Sequence, residues 1–331
     1  MATNTQVRLA ARPSGFPDAS SFKIEEAPVP EPKEGEVLVR NHFLSLDPYM
    51  RGRMNEARSY APPVALGDVM VGGTAGEVVA SKNPSFVAGD KVVGAFGWQE
   101  YGLSDGRGLT KVDGKLPLSA YLGVVGMPGV TAYIGLYDLG EPKQGETVVV
   151  SAAAGAVGSV VGQLAKLRGC RAVGIAGGKQ KCDYVTHELG FDACVDYRSP
   201  SFADDLRAAT PDGVDVSFEN VGGPVMDAVL ARLNVFGRVP LCGLVSQYNA
   251  TEPYTLKNVA ALLWKRVELQ GFIVSDHMDR WPRALADLSI WVAEGKVRYR
   301  ETVATGITNA PEAFFGMLRG ENLGKQIVKL V

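Results

Sequence analysis

Residues 147–167 read TVVVSAAAGAVGSVVGQLAKL. The β-branched run 148–150 leads into Ala152, Ala153 and Ala154, then Gly155 and Gly158, then an apolar pattern of helical period. That order is strand, tight turn, helix. It is the opening unit of a dinucleotide-binding fold, spelled A-x-x-G-x-x-G on Ala152, Gly155 and Gly158 in place of the commoner G-x-G-x-x-G. Small residues suit the turn because the backbone reverses sharply there and a pyrophosphate must come close to its N–H groups, facing the positive end of the next helix. Gly155, Ala156, Val157 and Gly158 are therefore the first candidate cofactor contacts.

Residues 147–165 carry no charge, and a run of roughly 18 uncharged apolar residues also suits a membrane span. Here the run is broken by Gly155, Gly158, Ser159, Gly162 and Gln163, and its three valines suit a strand buried on both faces. No membrane association is expected.

Downstream, the rhythm of strand and helix continues. RAVGIAG reads as the second strand, KQKCDYVTHELG as a helix, ACVDY as a short strand and SPSFADDLRAAT as a helix; VDVSFENVGG, RVPLCGL and VELQGFIV continue the strands. This alternation predicts an α/β doubly wound parallel sheet over 123–298, with its ligand beyond the carboxyl ends of the strands. Upstream, residues 1–122 hold short β-like runs (EVLVRNHFLSL, AGEVVAS, DKVVGAFGW) separated by the turn signals PKEG, NPSFVAGD and DGRG. This is a smaller, mostly β domain. The tail ends in the strand-like QIVKLV, which is expected to return to that first domain, making it discontinuous over 1–122 and 299–331.

Composition narrows the partners. Of 331 residues 46% are hydrophobic and 21% charged, which suits two domains with ample core. The net charge of −2, without a basic stripe interleaved with aromatics, argues against nucleic acid. The N-terminal MATNTQVRLAARPSG lacks the apolar region of a secretory signal, so the expectation is a cytoplasmic protein. Cys170, Cys182, Cys194 and Cys242 form no C-x-x-C pair, and His42, His187 and His277 are scattered, so neither a metal site nor a disulfide framework is predicted. The four thiols read as residues without a role.

The choice of dinucleotide rests on the end of the second strand, where NAD enzymes usually place an acid about 20 residues past the turn. Here the strand ends in Gly177 and Gly178, with Lys179 and Lys181 following and no carboxylate. A 2′-phosphate calls for cations and glycine amides, which favours NADP: Gly178 and Lys181 first, then Tyr197 at the end of the third strand. The alternative is that the lysines are solvated residues at a helix start.

With these residues assembled, the chain resembles the zinc-independent medium-chain dehydrogenases/reductases, in particular the group of prostaglandin reductases (leukotriene hydroxydehydrogenases), plant alkenal double-bond reductases and bacterial curcumin reductases. The resemblance rests on LSLDPYMRGRM (44–54), VMVGGTAGEVV (69–79), GMPGVTAY (126–133), AAAGAVGSVVGQLAKL (152–167), FENVGG (218–223), CGLVSQYN (242–249), LQGFIV (269–274) and NLGKQIV (322–328), spanning nearly the whole chain. It implies a Rossmann domain beside a discontinuous GroES-like barrel domain, and a homodimer. It further implies NADP(H) contacts at the glycine turn, Lys181, Tyr197, Asn220, Cys242, Gly243, Leu244, Tyr248, Phe272, Ile273, Val274 and Asn322. Met127 and Thr131, in the hinge segment, are expected to face the cofactor.

Without a metal to act as Lewis acid, hydride addition to a carbon–carbon double bond conjugated with a carbonyl is the chemistry that fits, with NADPH as donor and a small enone or enal as substrate. Charge then builds on the carbonyl oxygen as an enolate, and a phenol suits its stabilisation. Tyr248 matches the family's catalytic tyrosine, and Tyr49 the substrate-facing tyrosine of the double-bond reductases. The alternatives are a loop aromatic packing on the cofactor for Tyr248 and interdomain packing for Tyr49. Arg51 and Arg53 are read either as tuning the pocket mouth or as structural. A quinone reductase, or an NADPH-binding protein without significant turnover, are the competing functions.

Overall fold

The structure is a computed structural model describing residues 3–331. The chain divides into two compact units, one built from the chain up to Gly123 together with Glu301–Val331, the other from Val124–Arg300.

In the first unit, β1 (Thr3–Leu9) and β2 (Phe22–Pro28) form an antiparallel pair. There follow β3 (Val37–Ser45), a short helix α1 (Tyr49–Arg53), β4 (Thr74–Ser81), β5 (Lys91–Gly94), β6 (Tyr101–Ser104) and β7 (Thr110–Lys111).

The second unit opens with α2 (Met127–Ile134), which widens into a π-helical turn at Gly135–Gly140. Then come β8 (Thr147–Ser151), α3 (Gly158–Leu167), β9 (Arg171–Ala176) and α4 (Lys179–Asp183), continued by a second π-helical turn at Tyr184–Glu188. The alternation proceeds through β10 (Ala193–Asp196), α5 (Phe202–Ala209), β11 (Val214–Phe218), α6 (Gly223–Arg232), β12 (Leu233–Leu241), α7 (Ala260–Trp264), β13 (Glu268–Gly271) and α8 (Trp281–Ala293).

The chain then rejoins the first unit with β14 (Glu301–Thr305), α9 (Ala310–Leu318) and β15 (Lys325–Lys329). Strand β15 lies antiparallel to β3, with Ile327 opposite Ser45, and parallel to β14. The sheet runs β14-β15-β3-β4-β5-β7, with β6 also paired to β3. Its core includes an aromatic cluster: Phe22 stacks on Trp98 at 5.2 Å and Trp98 meets the edge of Phe314 at 5.5 Å.

The second unit carries six parallel strands in the order β10-β9-β8-β11-β12-β13. Counted along the unit, that order is 3-2-1-4-5-6, the dinucleotide-binding arrangement. Val148, Val149 and Val150 are fully buried in the central strand β8, each side chain contributing about 1.5–3 kcal/mol relative to exposure. The uncharged run after Thr147 is thus split between a strand and a ten-residue helix, and among the described residues no helix is long and apolar enough to cross a membrane. Strand order reverses between β8 and β11. That switch positions the site, because the crossovers leave on opposite faces there and open a crevice at the carboxyl ends.

Candidate cofactor and active site

The turn after β8 is closed by backbone crowding. A Cβ on Gly158 would lie 2.4 Å from the Ala152 carbonyl oxygen, so a side chain there would force the turn apart. Ala152 itself takes φ +51°, a left-handed conformation that costs a non-glycine residue about 1–2 kcal/mol. Gly155, Ala156 and Val157 follow, half-buried, and α3 begins at Gly158. The opening turn of a helix has N–H groups without intrahelical partners, which suits an anion.

Across the strand switch stands a buried carboxyl group that sequence reading missed. Ser151 Oγ donates to Glu219 Oε1 at 2.8 Å, and the same oxygen accepts the N–H groups of Val221 at 2.6 Å and Gly222 at 2.8 Å. The Glu219 carbonyl accepts from Cys242 and Gly243. Asn220 donates its backbone N–H to Ser151 Oγ and its side-chain amide to the Ser151 carbonyl, both at 2.8 Å. One glutamate therefore ties together the loops after β8, β11 and β12. It is fully buried, burial pushes its pKa up against the opposing pull of the hydrogen bonds, and Oε2 has no partner among the described residues.

At the far end of the crevice, β9 and β10 finish side by side. A Cβ on Gly177 would lie 2.8 Å from Tyr197 Cε1 and 3.0 Å from Arg198 Nε, so both side chains lean over the glycine pair. The half-buried Lys181 ammonium is lowered from its ordinary pKa first by burial and then by the positive charge of Arg198. Two cations and a phenol thus converge where Gly178 exposes backbone, a donor set suited to a phosphate dianion. Asp196 is the nearby acid, and its Oδ1 is occupied by the N–H groups of Gly178 and Arg198, each at 2.9 Å. Arg198 was not singled out from the sequence. The signal was there, since it directly follows Tyr197 at the end of β10.

The loop after β12 carries Cys242, Gly243, Leu244 and Tyr248. Burial, reinforced by the charge of Glu219, pushes the Cys242 thiol up to about 12. A Cβ on Gly243 would lie 3.1 Å from the Tyr248 hydroxyl oxygen and 3.4 Å from the Asn220 carbonyl, so the phenol folds back over its own loop. Leu244 packs into the core above Gly222. After β13, the Phe272 side chain turns inward, edge-on to Phe218 at 6.2 Å, leaving its backbone as the part that a ligand could meet. Ile273 and Val274 follow, half-buried. In α2, Thr131 donates to the Met127 carbonyl at 2.8 Å and is largely buried, while Met127 is half-buried.

Tyr49 and Asn322 belong to the first unit. Tyr49 opens α1, packs against the aromatic core, and has its pKa pushed well above the ordinary phenol range by burial and then by Asp47. Its loop is anchored by a buried ion pair: Lys325 Nζ lies 3.0 Å from Asp47 Oδ1 and also donates to the carbonyls of Leu46 and Gln326. Ser45 donates to Asp47 Oδ2. Asn322 donates to the Gly324 carbonyl at 2.8 Å, bracing the turn into β15. Arg51 is almost wholly buried and donates to Asn55, Pro13 and Gly15, which makes it a brace for the 13–15 segment; the Arg53 carbonyl receives Val64.

Comparison with known proteins supplies the family. A family described as the N-terminal domain of oxidoreductase matches residues 5–112, and one described as zinc-binding dehydrogenase matches residues 156–289. The chain is 51% identical over 329 residues to the NADPH-dependent curcumin reductase of Escherichia coli, covering 97% of this chain and 95% of that one. It is a medium-chain dehydrogenase/reductase. This family member is also 46% identical to prostaglandin reductase 1 of Rattus norvegicus, over 95% of each chain. It superposes with a TM-score of 0.95 on the crystal structure of CurA in complex with NADPH from Vibrio vulnificus, 50% identical over 99% of each chain. Although one matching family is described by zinc, no three His, Cys, Asp or Glu side chains of this reductase stand together as a metal site among the described residues.

Proposed function

We propose that this protein is an NADPH-dependent reductase of the carbon–carbon double bond of α,β-unsaturated ketones and aldehydes, curcumin-like phenolic enones among them. The observation that carries the reading is the cationic end of the crevice, Lys181 and Arg198 beside Tyr197 and the glycine pair, in a chain half identical to an NADPH-dependent curcumin reductase. The 155–158 turn, Lys181 and Arg198 would hold NADPH, the two cations meeting its 2′-phosphate, and the bound cofactor would supply a hydride for the β-carbon.

The chain's own groups do the rest. Glu219 and Ser151 fix the loops on both sides of the strand switch, so that Asn220 and the Gly243–Tyr248 backbone are presented in one geometry. The Tyr248 hydroxyl donates a hydrogen bond to the substrate carbonyl oxygen as charge collects there, and it or a water then returns a proton to the α-carbon. Tyr49, its phenol kept neutral by burial, orients the carbonyl or a substrate phenol. The Cys242 thiol stays protonated at neutral pH and adds no competing nucleophile.

A homodimer follows from the same reading. Strand β13 is the edge of the parallel sheet and all its residues are exposed; beside it Leu263 is 77%, Trp264 71% and Phe236 67% exposed. An unpaired edge flanked by large apolar side chains suits pairing with a second copy. The four free cysteines suit a reducing compartment, and we place the enzyme in the cytoplasm.

The test is oxidation of reduced nicotinamide with a 2-alkenal, an aryl butenone, curcumin, a simple quinone and a saturated ketone, with products identified by mass. Saturated carbonyl products from the enones uphold the proposal. Turnover of the quinone alone would move the protein to the quinone reductases, and no turnover across the panel would make it a binding protein.

A further inference from the structure

The phenol assigned to the substrate carbonyl stands beside a stretch with little structure of its own. After Tyr248, residues 251–258 form neither helix nor strand and most of them are exposed, while Leu256 packs against the core. Such a segment is held only as firmly as its ties to the rest of the domain. One helix supplies several of them. At its start, the bare Gly223 lets the loop lie against α6: a Cβ there would fall 2.9 Å from Ser246 Oγ and 3.2 Å from Gln247 Nε2. Ser246 also donates its hydroxyl to the Val221 carbonyl at 2.7 Å. One turn further along the same helix face stands Asp227, almost fully buried. Its Oδ1 accepts the N–H groups of Lys257 at 3.0 Å and Asn258 at 2.8 Å, and its Oδ2 accepts the Tyr254 hydroxyl at 3.3 Å. Gln247 Oε1 closes the loop on itself by accepting the Tyr254 N–H at 2.9 Å.

We propose that Asp227 is a positioning residue for Tyr248, holding residues 254–258 against α6 so that the phenol keeps one place at the carbonyl oxygen of the substrate. The inference rests on the assignment of Tyr248 to that oxygen. The loop that carries Tyr248 leaves α6 beside Gly223 and returns to it at Asp227. On the near side the 242–247 backbone holds the phenol, with the Leu244 N–H pointing at its hydroxyl oxygen at 3.5 Å. On the far side three donors of the returning chain converge on one carboxyl group, which fixes that chain in place and in direction. Without those acceptors the donors turn to water and the returning chain is free to lift. Tyr248 then spends less of its time in the competent geometry, and the rate falls with that fraction. A displacement of about 1 Å is enough to cost a factor of about a hundred.

Two buried acids thus hold the loop for different tasks. The Glu219 carbonyl receives the N–H groups of Cys242 and Gly243, on the side where the cofactor contacts are assigned. Asp227 holds the chain beyond Tyr248, where none is assigned. Its loss should therefore fall on the chemical step and spare the cofactor. A merely structural tie between helix and loop would behave otherwise, lowering stability and leaving the rate per folded molecule as it was.

The experiment measures kcat with an aryl butenone, KM for NADPH and the folded fraction by urea melts. It compares the wild type with Asp227→Ala, Asp227→Asn, Tyr248→Phe and the double variant Asp227→Ala, Tyr248→Phe. Asp227→Ala is expected to lower kcat about tenfold and to leave KM for NADPH within about twofold. Asp227→Asn, which keeps an oxygen for the two backbone N–H groups, should retain most of the rate. In the double variant kcat should equal that of Tyr248→Phe, because a residue that acts through the phenol has nothing left to act on. Gln247→Ala removes only the tie to the Tyr254 N–H and gives the same comparison should Asp227→Ala not fold. An unchanged kcat in the folded alanine variant, or losses that multiply in the double variant, would overturn the proposal, as would a loss confined to KM for NADPH. Failure of the underlying assignment looks different: Tyr248→Phe on its own would then leave kcat unchanged.

Discussion

The Ser151 hydroxyl donates to Glu219 Oε1 at 2.8 Å, joining the carboxyl ends of β8 and β11 where strand order reverses. The carboxyl group behind that bond is fully buried with one oxygen unpartnered. Burial raises its pKa, so the folded protein keeps this proton at pH values where the unfolded chain has released it. Stability therefore falls as pH climbs from the unfolded carboxylate value of about 4.3 toward the raised folded value. Glu219→Gln lacks that proton equilibrium. In urea melts at a series of pH values, the wild type should lose stability relative to Glu219→Gln as pH rises above the unfolded carboxylate value. A constant difference would mean that the carboxyl group is not raised. Glu219→Ala, which strips three donors of their acceptor, should cost about 3 kcal/mol at acidic pH, where the carboxyl group is protonated in both states, and less as pH rises.

Lys181→Ala should raise KM for NADPH about tenfold to a hundredfold and leave KM for NADH nearly unchanged, as expected for a charge-assisted phosphate contact. Arg198→Ala should shift cofactor choice in the same direction by a smaller factor, because its guanidinium is exposed to solvent. Equal effects of either substitution on both cofactors would remove that residue from the phosphate site.

Tyr248→Phe should lower kcat for an enone about a hundredfold with little change in NADPH affinity, the scale of removing one donor to a developing oxyanion. Tyr49→Phe should act mainly on the KM of phenolic enones. Steady-state kinetics with an aliphatic and a phenolic substrate separate the two, and an unchanged kcat in Tyr248→Phe would reduce that tyrosine to a packing role.

Lys325→Met leaves the Asp47 carboxylate buried without its cation, which should cost about 3–5 kcal/mol by chemical denaturation. The double variant Asp47→Leu, Lys325→Met should recover most of that loss, since the desolvation penalty disappears with both charges. A double variant as unstable as the single one would show that the pair's hydrogen bonds to backbone, not its charge, hold the Tyr49 loop.

Leu263→Lys combined with Trp264→Lys should leave the parallel-sheet unit folded and shift the protein toward monomer. Sedimentation at several concentrations reads this directly. An unaltered mass would place the contact between copies elsewhere.

The parallel sheet was legible because its signals are local: the valine run before Ala152, the glycines at 155 and 158, and polar punctuation at each strand end. The cationic end of the crevice was half legible: the absence of an acid pointed to Lys181, and Arg198 beside it was passed over. Glu219 gave no local sign. A single acid between a strand and a Val-Gly-Gly turn reads as solvated, and its burial depends on Ser151 and the β12 loop closing around it. Asp47 and Lys325 were hidden for the same reason, being 278 positions apart in the chain. The two π-helical turns left no mark either: KQKCDYVTHELG reads as one ordinary helix, whereas the structure widens it from Tyr184 onward. Phe272 sits where the family resemblance points, yet its ring serves the core, a distinction that spacing alone does not carry.

Strand β15 has a consequence for how the molecule is made. Its partner β3 leaves the ribosome about 280 residues earlier, and Asp47 emerges with it, an acid whose counter-charge has not yet been translated. The parallel-sheet unit lies wholly between them, so it can finish folding while the N-terminal strands still wait with one ladder open. Synthesis thus delivers the nucleotide-binding half first and the half that carries Tyr49 last. A nascent chain stalled before Lys325 would expose the β3 edge to chaperones and to other chains, which puts the quality-control risk of this protein in its oldest residues, not its newest.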